Sequence, residues 1–145
     1  YGYTMMYRET GLERYLNQAK AIADFLIHHP NFPEDKIPYW DFDAPDIPNA
    51  KRDASAAAIM ASALIELGGF VDKKLRNEYL SVAEQQLITL SSPAYRAEIG
   101  TNANFLLKHS VGNMPSKSEV DVPLTYADYY YLEALVRYKK FVLGQ

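Results

Sequence analysis

The chain has 145 residues, of which 48% are hydrophobic and 23% are charged, and its formal net charge is −3. This composition predicts one ordinary globular domain that is large enough to bury a substantial core. The negative charge gives no reason to expect a nucleic acid or an anionic membrane as a partner. No apolar run approaches the roughly 20 residues of a membrane span. Because there is no cysteine, disulfides are excluded and the redox compartment stays open.

Hydrophobic periodicity predicts five helices, which cover residues 1–8, 11–29, 53–67, 72–90 and 126–142. The first reads as the tail of a helix whose beginning is missing, and the second and fourth are amphipathic. The third is rich in alanine and apolar around most of its circumference, with Asp53 as its N-cap. The fifth is apolar on nearly every side, with Glu133 and Arg137 spaced to pair at i,i+4.

The order of these helices is therefore buried, surface, buried, surface, buried. This alternation predicts an all-α fold, an (α/α)6 toroid or barrel in which an outer ring of helices wraps an inner ring, with roughly the last five helices present. The joins that precede buried helices are long, at 30–52 and 91–125. Both long loops then leave the same end of the fold, which we expect to be the functional face.

A closed toroid of this kind has six helical hairpins, so five helices form an open arc. Such an arc leaves buried helices exposed on two sides. Two completions are open: the chain is the C-terminal part of a larger barrel, or partner chains close the ring. We prefer the first, in which residues 1–145 form the C-terminal segment of one barrel domain whose N-terminal half is absent.

The first long loop contains a tryptophan that is the only one in the chain, within IPYWDFDAPDIPNAKR. Trp40 lies between Tyr39 and Phe42 and among prolines that stiffen the backbone. It is either a platform for stacking on a sugar ring or a plug over the end of the alanine-rich helix. Arg52, where the loop enters that helix, either forms a local salt bridge or binds an anion.

Two carboxylates of the same loop resemble an acid pair, since acid-catalysed sugar cleavage typically uses two. Asp41 and Asp43, however, are only two residues apart in a loop that contains several prolines. We expect them to cap the loop and not to catalyse.

The second long loop reads LLKHSVGNMPSKSEVDVP and is rich in hydrogen-bond donors and positive charge. Ser110, Asn113 and Lys117 would suit carboxylate or sulfate oxygens, although polar loops more often contact only water. His109 has no companion at metal-ligand spacing, and the sequence contains no phosphate loop, dinucleotide fingerprint or nucleophile elbow. We therefore predict no metal and no cofactor.

Four stretches carry a family resemblance: YGYTMMYRETG, PYWDF, RDASAAAI followed by ALIEL, and SEVDVPLTYADYYYLEALVRYKK. Together they span nearly the whole chain, and they resemble the unsaturated glucuronyl hydrolases, glycoside hydrolase family 88. The resemblance implies an (α/α)6 barrel. It also implies a glycosidase of polysaccharide degradation that takes lyase-generated oligosaccharides, from chondroitin, hyaluronan, heparin or gellan, with a 4,5-unsaturated uronic acid at the non-reducing end.

In that family an aspartic acid protonates C4 of the vinyl ether and water adds at C5. The resulting hemiketal opens and releases the next sugar. The family's catalytic aspartates and the tryptophan and histidine residues of its sugar subsite lie in the N-terminal half, and no motif here corresponds to them. The resemblance thus implies no catalytic residue in this segment, which alone would be inactive.

What the resemblance assigns to this segment is substrate binding. Ser110 matches a family serine in the loop that approaches the leaving sugar and, in sulfate-tolerant members, its sulfate. At Asn113 some members have a serine. The predicted substrate-binding residues are Ser110, Asn113, Lys117, Trp40 and Arg52. The expected partners are the unsaturated oligosaccharide and the remainder of the same barrel.

Two alternatives remain at this point. A related family of unsaturated rhamnogalacturonyl hydrolases shares the barrel and the chemistry, and a non-catalytic helical module could bind sugars or proteins on a decayed barrel. The sequence leaves open the exact disaccharide, the sulfation preference and the oligomeric state. A bacterial protein of this kind could be cytoplasmic, periplasmic or secreted.

Overall fold

The computed structural model describes the whole chain, from Tyr1 to Gln145. It is mostly helical, with one two-stranded antiparallel hairpin. The elements in chain order are α1 (Gly2–Thr10), α2 (Glu13–Ile27), α3 (Ala54–Leu67), α4 (Lys73–Ser91), β1 (Ser110–Asn113), β2 (Ser118–Val122) and α5 (Thr125–Phe141). Each of the five helices predicted from periodicity is present, with ends that move by a few residues. No helix has the length and apolarity needed to cross a bilayer.

Helix α3 is the centre of the core. Asp53 is its N-cap, as predicted, and accepts hydrogen bonds from both the amide and the hydroxyl of Ser55. Its alanines at positions 54, 57, 58 and 61 are completely buried. Because these side chains are small, α4 and α5 approach the α3 backbone closely.

Helix α4 packs its apolar face on α3, and its start is fixed by Asp72, whose carboxylate accepts from the amides of Lys74 and Leu75. Its buried residues are Tyr79, Val82, Ala83, Gln86, Leu87 and Leu90. Helix α5 packs on the other flank of α3. The predicted Glu133–Arg137 pair is present on α5, at 3.4 Å.

The arc is open on two sides. Helix α5 buries only Ala127, Tyr131 and Ala134, and its far face leaves Tyr129 and Val136 exposed. At the other edge α1 buries only Thr4, and α2 leaves Ile22 and Phe25 exposed. Helix α5, which is apolar on nearly every side, is thus covered by other residues of this chain on one side only, as the open-arc interpretation expects.

The second long loop is more regular than its composition indicated. It holds a short 3-10 turn at Asn102–Asn104 and the β1–β2 hairpin. Ser110 pairs with Val122 and Val111 with Val120, so Asp121 is the extra residue of a β-bulge. The alternation of polar and apolar residues in SEVDV was the available strand signal, and it is only five residues long.

Candidate functional site

The two long segments meet at the N-terminal end of α3, as the loop lengths predicted. Tyr39 forms an isolated antiparallel bridge with Arg52, which places Trp40 beside Lys51. The Trp40 amide donates to the Lys51 carbonyl at 2.9 Å. The first segment therefore doubles back on itself directly before α3, and Trp40, on its outgoing part, is half-buried.

Strand β1 is attached to the same helix end. The Ala54 amide, at the start of α3, donates to the His109 carbonyl at 3.0 Å. The Val111 amide donates to the Asp53 carboxylate at 3.3 Å. Ser110 lies between these two contacts, is completely buried, and its hydroxyl has no hydrogen-bond partner. A buried hydroxyl without a partner is costly and uncommon, and it remains available as a donor.

Arg52 is held by its own segment. Its guanidinium forms a salt bridge with Asp35 and lies 4.7 Å from the centre of the Tyr39 ring. Of the two roles left open for this residue, the local salt bridge is the one seen here. The Nε atom of Arg52 is buried and has no partner, so one donor of the guanidinium is unused.

The hairpin tip carries the remaining two predicted residues. Asn113 and Lys117 are both exposed, at the ends of the connection between β1 and β2. The Asn113 side-chain oxygen accepts from the Ser116 amide at 3.1 Å, which closes the turn. Its amide nitrogen and the Lys117 ammonium face solvent as donors. Ser110 at the foot of the hairpin is thus separated from Asn113 and Lys117 at its tip.

A hydrogen-bonded contact of three residues connects the two segments, and we name Asp121, His109 and Lys51 the Asp121 clasp. Lys51 Nζ lies 2.8 Å from one carboxylate oxygen of Asp121, and His109 Nδ1 lies 2.6 Å from the other. The hydrogen bonds from Lys51 and then from His109 lower the pKa of Asp121, and the same contact raises the pKa of Lys51. The Tyr95 ring packs edge-on against His109 at 5.9 Å.

The lowered pKa gives the clasp a defined pH dependence. A carboxylate whose folded-state pKa lies below its ordinary value of 3.8 stabilises the fold above that value. This stabilisation is lost as the pH falls through the lower, folded-state pKa. We expect the difference in unfolding free energy between the wild type and Asp121→Asn to shrink as the pH falls below the ordinary carboxylate value of 3.8. Chemical denaturation at a series of pH values measures it, and a difference that grows on acidification would contradict this assignment.

The carboxylates in this region accept hydrogen bonds that hold the backbone of the two segments. The Asp41 carboxylate accepts from the Asp43 amide at 2.8 Å, which is the loop capping expected for this pair. Asp128, at the start of α5, accepts from the amides of Leu106 and Leu107 at 2.8 and 2.9 Å and so holds the second segment on α5. The clasp favours the ionised form of the Asp121 carboxylate, whereas a general acid must carry a proton that it can donate.

A partly open pocket lies away from this region, between α1, α2 and α3. Its volume is about 160 Å³, and 12 of its 13 lining residues are hydrophobic, with Thr4 as the exception. Such a lining has too few polar groups to recognise sugar hydroxyls. No three His, Asp or Glu side chains in the structure are arranged to hold a metal ion.

Sequence reasoning missed Lys51, Asp121 and Asp35 as parts of this region. Lys51 and Asp121 are 70 positions apart, and ordinary helix or strand spacing cannot indicate such a contact. The signal for Asp121 was its place in the alternating SEVDV strand, where it is the acidic residue directly before the hydrophobic end of the strand.

The chain has close relatives among known proteins. It is 50% identical over 143 residues, 99% of its length, to the unsaturated glucuronyl hydrolase of Formosa agariphila, and it covers 35% of that protein. It is 32% identical to the unsaturated glucuronyl hydrolase of a Bacillus species, covering 38% of it. Over nearly its whole length the chain is homologous to part of the unsaturated glucuronyl hydrolases. No protein-family profile matches the sequence, and the chain spans about a third of the length of the curated relatives it matches.

Solved structures agree with this family. An unsaturated glucuronyl hydrolase specific for heparin superposes with a TM-score of 0.93 at 51% identity, and 97% of this chain matches 37% of that one. The Bacillus enzyme superposes with a TM-score of 0.87 at 30% identity over the same shares. The structure thus matches part of the helical toroid of the unsaturated glucuronyl hydrolases. Another match, with a TM-score of 0.85 at 28% identity, is a Streptococcus agalactiae enzyme variant complexed with dGlcA-GalNAc6S; 95% of this chain matches 36% of that one.

Proposed function

We propose that this chain is the C-terminal segment of an unsaturated glucuronyl hydrolase and forms one side of its sugar cleft. The observation that carries the proposal is the junction of the two long segments at the N-terminal end of α3. It brings Trp40 and Arg52 of the first segment to the strand that begins at Ser110. All five predicted sugar contacts then belong to one end of the inner helices.

The two apolar edges support the barrel interpretation. The exposed face of α5 includes Tyr129, Leu132 and Val136, which recur at helical spacing. An apolar stripe of this kind needs a neighbouring helix. In the proposed protein that neighbour comes from the other part of the same barrel, which also supplies the catalytic aspartates.

The chemistry divides between the two parts. The absent part gives the proton to C4 of the unsaturated uronate and activates the water that adds at C5. This segment contributes binding: Trp40 as an aromatic surface, and Arg52, Asn113 and Lys117 as donors to carboxylate, hydroxyl or sulfate oxygens. Ser110, which is completely buried here, contributes from the foot of the hairpin that carries Asn113 and Lys117. Donors on a loop next to the cleft would act mainly on the sugar that leaves.

Heparin-derived disaccharides are the substrates that we place first. The structure at 51% identity is described as specific for heparin, whereas the relatives named unsaturated chondroitin disaccharide hydrolases are 28–29% identical. Asn113 stands where some family members have a serine, so recognition of the sulfated leaving sugar is where this protein should differ from them.

The test is loss of the ultraviolet absorbance of the double bond when the complete protein is mixed with unsaturated disaccharides from heparin, chondroitin and hyaluronan lyase digests. We expect loss on at least one and fastest on the heparin product. Replacing both Ser110 and Asn113 by alanine should change the ratio of the kcat/KM values for these substrates by at least about fivefold. The Asp41→Asn variant is the control and should keep its activity.

No loss of absorbance on any of these substrates, from a folded protein, would remove the proposal. Activity on unsaturated rhamnogalacturonan products instead would point to the related rhamnogalacturonyl family. Saturable binding without turnover would favour a sugar-binding module.

A further inference from the structure

We infer that Asp121 is the positioning residue of the candidate site, because its carboxylate holds the β1–β2 hairpin and residues 39–52 in one geometry. In the complete enzyme this geometry sets the affinity for the sugar that follows the unsaturated uronate. That consequence rests on the proposed function, whereas the contact itself belongs to this chain and can be tested without substrate.

The first step is that the clasp reaches a predicted sugar contact in each segment. On one side Asp121 binds Lys51, whose carbonyl accepts the Trp40 amide at 2.9 Å. On the other side it binds His109, the residue directly before Ser110. The Asp121 carboxylate is therefore connected to Trp40 through Lys51, and to Ser110 through the adjacent His109.

The second step is the backbone of the clasp. Asp121 is the bulged residue of β2 and has a φ of 59°, and His109 has a φ of 63°. Left-handed backbone is unfavourable for residues other than glycine, although Asp adopts it more readily than most. Such conformations persist where the surroundings over-determine them, and they cluster at functional sites. The bulge aims the Asp121 side chain out of the regular alternation of the strand and onto Lys51 and His109.

The third step is that the neighbouring acidic residue of β2 has no such role. Glu119 also has positive φ, at 53°, and is also exposed. Its side chain lies against Gly112 of β1, where a Cβ atom would collide with it. Glu119 contacts only its own hairpin in this way, whereas Asp121 crosses to the other segment. The two positions therefore form a matched pair for experiment.

Asp121→Asn is the informative variant. Asparagine tolerates left-handed backbone and keeps one oxygen acceptor, so the hairpin can fold while the charged contact is lost. The matched control is Glu119→Gln, which removes the same charge two residues away. Lys51→Met should reproduce the effect from the other segment, and Lys51→Arg should retain the contact.

The readout is amide hydrogen exchange of this segment within the complete protein. We expect Asp121→Asn to accelerate exchange of the Trp40 and Val111 amides about tenfold, as loss of one charge-assisted hydrogen bond predicts. Glu119→Gln should change the exchange of both amides less than about twofold.

Two results would overturn the inference. If the Val111 amide exchanged faster while Trp40 did not change, the hairpin and the first segment would be independent. If neither amide changed, or if Glu119→Gln acted equally, the clasp would have no positioning role.

Kinetics of the complete enzyme separate positioning from a merely structural effect. We expect Asp121→Asn to raise KM about fivefold while kcat stays within about twofold of the wild type, and Lys51→Arg to resemble the wild type. A loss confined to kcat would contradict a positioning role. If the wild type fails to act on any unsaturated disaccharide, the proposed function fails, and the exchange measurements still decide whether Asp121 positions the two segments.

Discussion

Replacing Arg137 by methionine is expected to lower the free energy of unfolding by about 3 kcal/mol. The Arg137 guanidinium lies 2.9 Å from Glu66 on α3 and 3.4 Å from Glu133 on its own helix, and it donates to the Ser62 carbonyl at 2.9 Å. All three charged side chains are largely shielded, with exposed fractions of 12% for Arg137, 9% for Glu66 and 20% for Glu133. Removing the cation leaves Glu133 without a salt-bridge partner and Glu66 with Arg8 alone.

Denaturant unfolding followed by circular dichroism measures this loss. Methionine fills much of the space of the arginine stem, so the change reports on charge and hydrogen bonding more than on packing. Lys139→Met, two residues further along the same helix and exposed, is the control and should cost less than about 0.5 kcal/mol. Equal losses for the two variants would mean that the cluster of Arg137, Glu66 and Glu133 contributes no more than a surface charge.

Leu107→Ala is the second large effect that we expect, at about 3 kcal/mol. Leu107 is completely buried although it lies in the long segment between α4 and β1. Its amide donates to Asp128 at 2.9 Å and its carbonyl accepts from the Asn102 side chain at 3.0 Å. The side chain and both backbone groups are thus fixed, so the surroundings cannot easily close a cavity left by truncation.

Leu106→Ala provides the matched control, since the adjacent leucine is 38% exposed. Its truncation should cost less than about 1 kcal/mol because little buried area is lost. Thermal and chemical unfolding of both variants measure the difference. Similar values would show that this segment is not anchored through Leu107.

Local signals were enough for the helices and for their starts. Asp53 and Asp72 are recognisable as N-caps because a capping side chain bonds to amides two or three residues ahead. The Glu133–Arg137 pair was predictable for the same reason, since one helical turn brings the two side chains together. The alternation of amphipathic and apolar helices likewise predicted the two-layer arrangement, because burial on all sides requires neighbours on all sides.

The long-range contacts depended on the tertiary structure. The sequence predicted that Arg137 pairs with Glu133, but the fold also brings Arg137 to Glu66 on another helix. Ser110 was chosen as a donor in a polar loop, and the fold buries it completely at the foot of the hairpin. Neither fact has a local signal, because both depend on how α3 packs with segments far away in the chain.

By itself, the sequence determined the helical class, the family and the end of the fold where the long segments leave. Periodicity, caps and motifs carry that information within one helix or one loop. Only the tertiary structure decided that Asp121 connects to both Lys51 and His109. The physical reason is that a bulge and two left-handed residues set the direction of those side chains, and no residue pattern of period two or 3.6 encodes such a turn.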